Sequence, residues 1–295
     1  MADEDRASAT SVAGRLGIKL KHLNFVKEYK NKVISYFYEG YRNGRTPNPD
    51  ILCNTEIKFG LFLDWVVKKR FDFVATGHYA STKEGRLYKG VDDTKDQSYF
   101  LYRLGQKQLL STMFPLGNML KTDVRKLAEK AGLPTFNRPD SQGICFVGEV
   151  NIKEFLKREI KPQEGNLINT SGEVIGKHDG VWFYTIGQRR GFRVKRYFGT
   201  PLYVVSKNVE KNEVVVGPIK DVLRNTFDIE NVHWIGSISE FPLECDVRIR
   251  HLGKLYEATV DKNIVITTEP IFGVASGQSA VFYRDSEVLG GGIIV

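Results

Sequence analysis

The feature that most limits how this chain can fold is a change of periodicity at Lys161-Pro162. Before it, apolar residues recur at helical spacing. Ile57, Leu61 and Trp65, with Phe62 and Val66, place an amphipathic helix at about 55–68. Further helices are expected over 5–17, 26–41, 107–113 and 122–131, and strands over 18–25 and 71–75. That alternation implies an α/β layer built on a parallel sheet. After the break the pattern becomes short strands punctuated by glycine, over 166–169, 180–186, 202–206 and 213–217. From about Phe227 it reads as all β, with strands over 247–251, 256–260, 264–267, 279–283 and 288–294. So many strands in so short a stretch imply a small barrel. Three units are therefore expected in the 295 residues, over 1–162, 163–218 and 219–295.

Charge narrows the partners. The net +8 is uneven, because residues 219–295 hold seven basic and 11 acidic side chains and the excess lies ahead of them. Its densest run carries Lys177, Arg189, Arg190, Arg193, Lys195, Arg196 and Lys207 against Asp179 alone. Trp182, Phe183, Tyr184, Phe192, Tyr197 and Phe198 are interleaved with it. Such a run suits a phosphate backbone beside stackable bases, and a solvated basic face is the plain alternative. Apolar runs such as Leu61-Phe62-Leu63 fall far short of the roughly 20 residues of a membrane span. The start, Met1-Ala2-Asp3-Glu4-Asp5-Arg6, lacks the apolar core of a secretory signal, so a cytoplasmic protein with no membrane partner is expected. Three cysteines without metal-ligand spacing predict neither a disulfide framework nor a metal site.

Two segments carry the chemistry. In Gly44-Arg45-Thr46-Pro47-Asn48-Pro49-Asp50-Ile51-Leu52-Cys53-Asn54, the two prolines force a rigid turn that delivers Asp50 and Cys53 to a helix start, with Asn54 available as N-cap. A thiol there feels the positive end of the helix dipole, which favours thiolate, although a small buried cysteine would look the same. The second segment is Asn137-Arg138-Pro139-Asp140-Ser141-Gln142-Gly143-Ile144-Cys145-Phe146-Val147-Gly148. Its Cys145 reads either as a core residue or as a thiol on a movable loop. Cys245, between Glu244 and Asp246, reads as structural.

These segments resemble a known family. With Glu56-Ile57-Lys58-Phe59, Ala75-Thr76-Gly77-His78-Tyr79, Lys95-Asp96-Gln97-Ser98-Tyr99-Phe100, Gly187-Gln188-Arg189-Arg190-Gly191 and Gly277-Gln278-Ser279-Ala280-Val281-Phe282-Tyr283, they follow the order found in tRNA-specific 2-thiouridylases, from about residue 5 to the end. The resemblance implies an ATP-pyrophosphatase-like α/β domain, a small tRNA-binding middle domain and a C-terminal β-barrel. It implies an ATP-dependent sulfurtransferase that replaces O2 of the wobble uridine, position 34 of tRNA, by sulfur. ATP with Mg2+ would adenylate the base, and a sulfur-donor protein would supply persulfide sulfur. By motif position Cys145 resembles the persulfide carrier, Cys53 the attacking nucleophile that leaves a Cys53–Cys145 disulfide or liberates sulfide at the base, and Asp50 the acid/base. Gly77 corresponds to an ATP-contacting glycine. Asn48, Pro49 and Asp50 match the base-contacting tripeptide, and His78, Lys95, Asp96, Gln97, Arg248, Ile249 and Gln278 match tRNA contacts. The family usually carries Arg-Tyr-Arg where this chain has Arg248-Ile249-Arg250, which removes a stacking ring.

A larger departure lies at the front. The family opens with a Ser-Gly-Gly-Val-Asp-Ser pyrophosphate loop whose backbone N–H groups cradle phosphates. No such motif occurs here; Ser8-Ala9-Thr10-Ser11 is not glycine-rich, and Leu289-Gly290-Gly291-Gly292 falls in the expected barrel. The expectation is an N-terminally shortened member, weak or inactive in adenylation, with its thiols and tRNA surface kept. The rival expectations are a non-catalytic tRNA-binding fragment and a dithiol redox protein.

Overall fold

Gly17, at φ 65°, ends the opening helix Ala2–Leu16, because only a residue without Cβ takes that conformation cheaply. The computed structural model describes residues 2–140, 143–195, 199–238 and 240–295. Two long helical segments follow. The first joins Val26–Tyr29, Lys30–Ile34 and Ser35–Arg42; the second joins Pro49–Leu52, Cys53–Phe62 and Leu63–Lys68. Lys30–Ile34 and Cys53–Phe62 are π-helical, with each bond reaching one residue further than in an α-helix. The second segment begins at Pro49, ahead of the expected 55, and its cap is Asn48 rather than Asn54. Pro49 presets the φ of a first helical turn and has no N–H to leave unpaired. The periodicity hides this turn because Ile51 is buried in another core than Cys53 and Ile57.

The parallel sheet is small, consisting of Val74–Ala75 beside Thr112–Met113. Only the last two residues of the expected 71–75 strand pair, and Phe71 and Phe73 stay exposed. The expected strand over 18–25 does not form. Ile18 and Leu20 are exposed, and alternation without a neighbouring strand has nothing to bury against. The expected helix over 107–113 divides into the helix Gln106–Leu110 and the strand Thr112–Met113.

The C-terminal barrel has six strands, Leu223–Trp234, Leu243–Arg248, Tyr256–Asp261, Ile264–Phe272, Ser279–Arg284 and Glu287–Ile294. It closes because the first pairs with both Ile264–Phe272 and Glu287–Ile294. Val247, Val260, Val265 and Phe282 fill its interior. A hairpin of the N-terminal region, Ala80–Lys83 with Arg86–Lys89, extends the same sheet through Leu87 opposite Val288.

Between them lies a five-stranded sheet, in the order Arg193–Val194, Val174–His178, Gly165–Asn169, Glu213–Gly217, Tyr203–Asn208. The expected strand over 180–186 is instead a 3-10 turn, Val181–Phe183, held by the Val181 N–H donating to Asn212 Oδ1 at 3.0 Å. Its aromatics are core: Phe183 and Tyr184 pack with Phe37, Phe155 and Val204. The basic run therefore offers exposed Arg189, Arg190, Arg193 and Lys195 without those two rings, while Lys207 turns inward to the Tyr184 carbonyl at 2.7 Å. Arg196, Tyr197 and Phe198 lie outside the described residues. Among the described residues no helix is long and apolar enough to cross a membrane, and no cluster of His, Cys, Asp and Glu suits a metal.

Candidate active site

The turn before Pro49 is pinned from two sides. Thr46 N–H donates to the Ser276 carbonyl at 2.7 Å, its carbonyl accepts from Gln278 Nε2, and its hydroxyl meets that of Thr185 at 3.1 Å. Asn48 Oδ1 accepts from the Asp50 N–H at 3.0 Å and fixes the helix start. Asp50 and Cys53, three residues apart, then share a helix face.

Cys145 reaches that face from a tight loop. Ile144 and Gly148 exchange backbone hydrogen bonds of 3.0 and 2.7 Å. A Cβ on Gly143 (φ 88°) would lie 2.0 Å from the Gly148 carbonyl oxygen, so the loop closes only around glycine. The Cys145 N–H donates to Asp50 Oδ1 at 2.8 Å, and the Tyr29 hydroxyl donates to the Cys145 carbonyl. The Cys53 and Cys145 side chains meet within one packed cluster, and both are free thiols. Cys53 is fully buried with Tyr29, Val33 and Ile57, while Cys145 is half-buried at the edge of that cluster.

Electrostatics separates the two thiols. The hydrogen bond from Cys53 lowers the Cys145 pKa to about 7, helped against burial by the Lys58 ammonium. The same bond, then burial, pushes Cys53 far up. One charge is thus shared by two sulfurs, and the first of them ionises at the expense of the second. The helix-start argument favoured Cys53 as the thiolate; the packing gives that state to Cys145, because Cys53 is the more deeply enclosed donor. Burial raises the Asp50 carboxyl, only partly offset by the Cys145 N–H and Lys58. Cys245 is driven up to about 12 by burial and then by Asp246, in keeping with a structural residue.

Other expected positions sit elsewhere. His78 is buried, with Nδ1 2.8 Å from Thr76 Oγ1 and Nε2 3.4 Å from Lys58 Nζ, and burial followed by that cation lowers its pKa to about 3. Gly77 is exposed at the end of Val74–Ala75. Lys95 meets Asp140 at 2.7 Å, where Lys121 and Arg125 also converge at 3.0 and 3.3 Å. Asp96 and Arg248 form a buried pair at 3.0 Å, Ile249 is buried beside it, and Gln97 Oε1 accepts the Tyr79 N–H at 3.1 Å. The structure therefore brings together Asp50, Cys53 and Cys145, framed by Asn48 and Pro49. Lys95, Asp96, Gln97, Arg248 and Ile249 are engaged in internal contacts away from the thiols. Ser141 and Gln142 of the second motif lie outside the described residues. Sequence reasoning did not single out Tyr29 or Lys58; Lys58 stood in the quoted Glu56–Phe59 motif without a role.

Residues 1–149 match a family model described as the tRNA methyl transferase HUP domain, 153–218 its PRC-barrel domain, and 224–294 an aminomethyltransferase beta-barrel domain. The tRNA-specific 2-thiouridylase MnmA of Streptococcus thermophilus is 42% identical over 309 residues, covering 99% of this chain and 83% of that protein. Its namesake from Blochmanniella floridana is 41% identical over 311 residues, covering 100% of this chain and 84% of that protein. The chain belongs to the tRNA-specific 2-thiouridylase family. Its layout of α/β domain, small middle domain and closed barrel is that of a 2-thiouridylase, as the sequence motifs led us to expect.

Proposed function

We propose that this chain is a tRNA-uridine 2-sulfurtransferase, in which Cys145 carries persulfide sulfur and Cys53 resolves it. The observation that carries the reading is the pair of free thiols packed together beside a buried carboxyl that accepts the Cys145 N–H. Methyl transfer, the activity in two of the family-model descriptions, has no use for such a pair.

The chemistry follows from the geometry. A uracil carbonyl oxygen leaves poorly, so ATP with Mg2+, as co-substrate, converts O2 into a phosphate-ester leaving group. Gly77, exposed at the end of Val74–Ala75, corresponds by its motif to the glycine that would contact such a nucleotide. The Cys145 persulfide, the more easily ionised position, attacks C2, and O2 departs with AMP. Cys53 then attacks Cys145 Sγ. The bond from Sγ to the transferred sulfur breaks, its electron pair stays on that sulfur as the thiocarbonyl, and a Cys53–Cys145 disulfide remains. A thiol reductant returns both cysteines. Asp50, whose carboxyl is held above its ordinary pKa by burial, supplies and recovers the proton at the base. The target uridine leaves its stack to reach this site, and Asn48-Pro49 forms the rigid ledge beside it. Exposed Arg189, Arg190, Arg193 and Lys195 suit the tRNA phosphates, and a sulfur-donor protein charges Cys145.

The test supplies tRNA, ATP and a persulfide donor to the chain and to its Cys53→Ser and Cys145→Ser variants. Nucleoside mass spectrometry should find 2-thiouridine with the parent chain, at the low level its weak adenylation permits, and with neither variant. A methyl group gained from S-adenosylmethionine instead would overturn the assignment.

A further inference from the structure

We propose that Lys58 is the cation of the sulfur-transfer site, holding the negative charge of Cys145 and of the persulfide built on it, with His78 and Thr76 as positioning residues that aim it. This rests on the sulfur-transfer reading above.

The backbone explains how Lys58 gets there. Five residues of α-helix advance about 500°, which would leave Lys58 roughly 140° around the axis from Cys53. Cys53–Phe62 is π-helical, and with i→i+5 bonding a turn holds roughly 4.4 residues, so residue 58 returns close to the face of residue 53. The wider turn is built into the packing, because a Cβ on Gly60 would meet the Thr55 carbonyl oxygen at 2.8 Å. Asp50, Cys53 and Lys58 thereby line one side of a single helical segment, and Cys145 is laid against it by the Asp50 hydrogen bond.

The ammonium has chosen partners. Lys58 Nζ lies 3.4 Å from His78 Nε2, and from there its charge favours the Cys145 thiolate. His78 Nδ1 lies 2.8 Å from Thr76 Oγ1. His78 is kept neutral by burial, so Nδ1–H donates to Thr76 and Nε2 accepts from Lys58. Among the described residues, Asp50 opposes ionisation of the sulfur pair and Lys58 favours it through charge, while the Tyr29 hydroxyl is spent on the Cys145 carbonyl. A persulfide needs such a cation as much as a thiolate does, since its terminal sulfur must stay anionic to attack C2.

The experiment follows alkylation of Cys145 against pH, by peptide mass spectrometry, in the parent chain and in Lys58→Met, Lys58→Arg and His78→Gln. Neutral iodoacetamide and anionic iodoacetate are compared in parallel. Lys58→Met should slow iodoacetamide at pH 7 by about tenfold, the change expected for one unit of thiol pKa. It should also lower the iodoacetate-to-iodoacetamide ratio, a readout that a partly unfolded sample does not mimic. Lys58→Arg should keep both within about threefold, and His78→Gln should fall between. Unchanged profile and ratio in Lys58→Met would overturn the proposal. The assay needs neither tRNA nor ATP, so loss of the thiouridine reading with these shifts intact would sink that reading and leave Lys58 standing.

Discussion

Asp50 shows most clearly how a single residue serves chemistry at the expense of stability. Its carboxyl is mostly enclosed and its pKa is raised by that burial, so the folded chain holds the proton more tightly than the unfolded chain does. The sign follows: the folded state loses stability as pH climbs through the carboxylate range, and Asp50 is a net cost at neutral pH. Asp50→Asn keeps an oxygen to accept the Cys145 N–H and removes the buried charge. Its melting temperature at pH 7 should stay level or rise by a few degrees in calorimetry, while 2-thiouridine formation falls by at least a hundredfold, about the lower bound for a lost acid/base. A drop in both would make Asp50 a structural residue.

At the scale of elements, the ion cluster at Asp140 ties the thiol-bearing loop to the helix Lys121–Lys130 and to the Lys95 turn. Arg125 reinforces the tie by donating to the Phe136 and Arg138 carbonyls. The hydrogen bond from Lys95, then that from Lys121, lowers the Asp140 pKa to about 2. The tie is therefore complete above about pH 4 and is lost as pH falls toward 2. It lies near the surface, so Asp140→Asn should cost less than about 1 kcal/mol globally. Hydrogen exchange over 133–148 should nevertheless quicken at pH 7, and unchanged exchange would show that the loop is held by its own turn. What was legible in the sequence follows the same physics. Residues 26–41 read as a helix because Tyr29, Val33, Phe37 and Tyr41 recur every four residues and are buried, and 122–131 because Val124 and Ala128 half-bury one edge. The spacing of Ile57, Leu61 and Trp65 showed a helix at Cys53–Phe62 but not its wider π turn, so nothing in the pattern set Lys58 beside Cys53. The segments 18–25 and 180–186 alternate like strands, but pairing is decided by distant neighbours that local pattern does not contain. Asp50, Cys53 and Cys145 were readable because rigid prolines and glycines surround them. The partnership of Asp96 with Arg248, 152 positions apart, was not.

On the scale of the whole molecule, that partnership joins the N-terminal region to the barrel. Asp96 also accepts from the Gly90 and Ser98 N–H groups at 3.1 Å each, and Arg248 lies over the Tyr283 ring. Removing one member of such a buried pair strands the other. Arg248→Met should cost about 3 kcal/mol, seen as a lower urea midpoint with the slope unchanged. A loss confined to tRNA affinity, with the midpoint intact, would return Arg248 to the role its motif suggested.

The hairpin that carries Leu87 against Val288 has a further consequence. Since residues 80–89 pair with a strand two hundred positions later, residues 287–294 must be synthesised before the N-terminal region can finish its own architecture. Cutting the gene ahead of Leu223 would thus release no working sulfur-transfer module, only a polypeptide with an unmatched ribbon and an unneutralised aspartate.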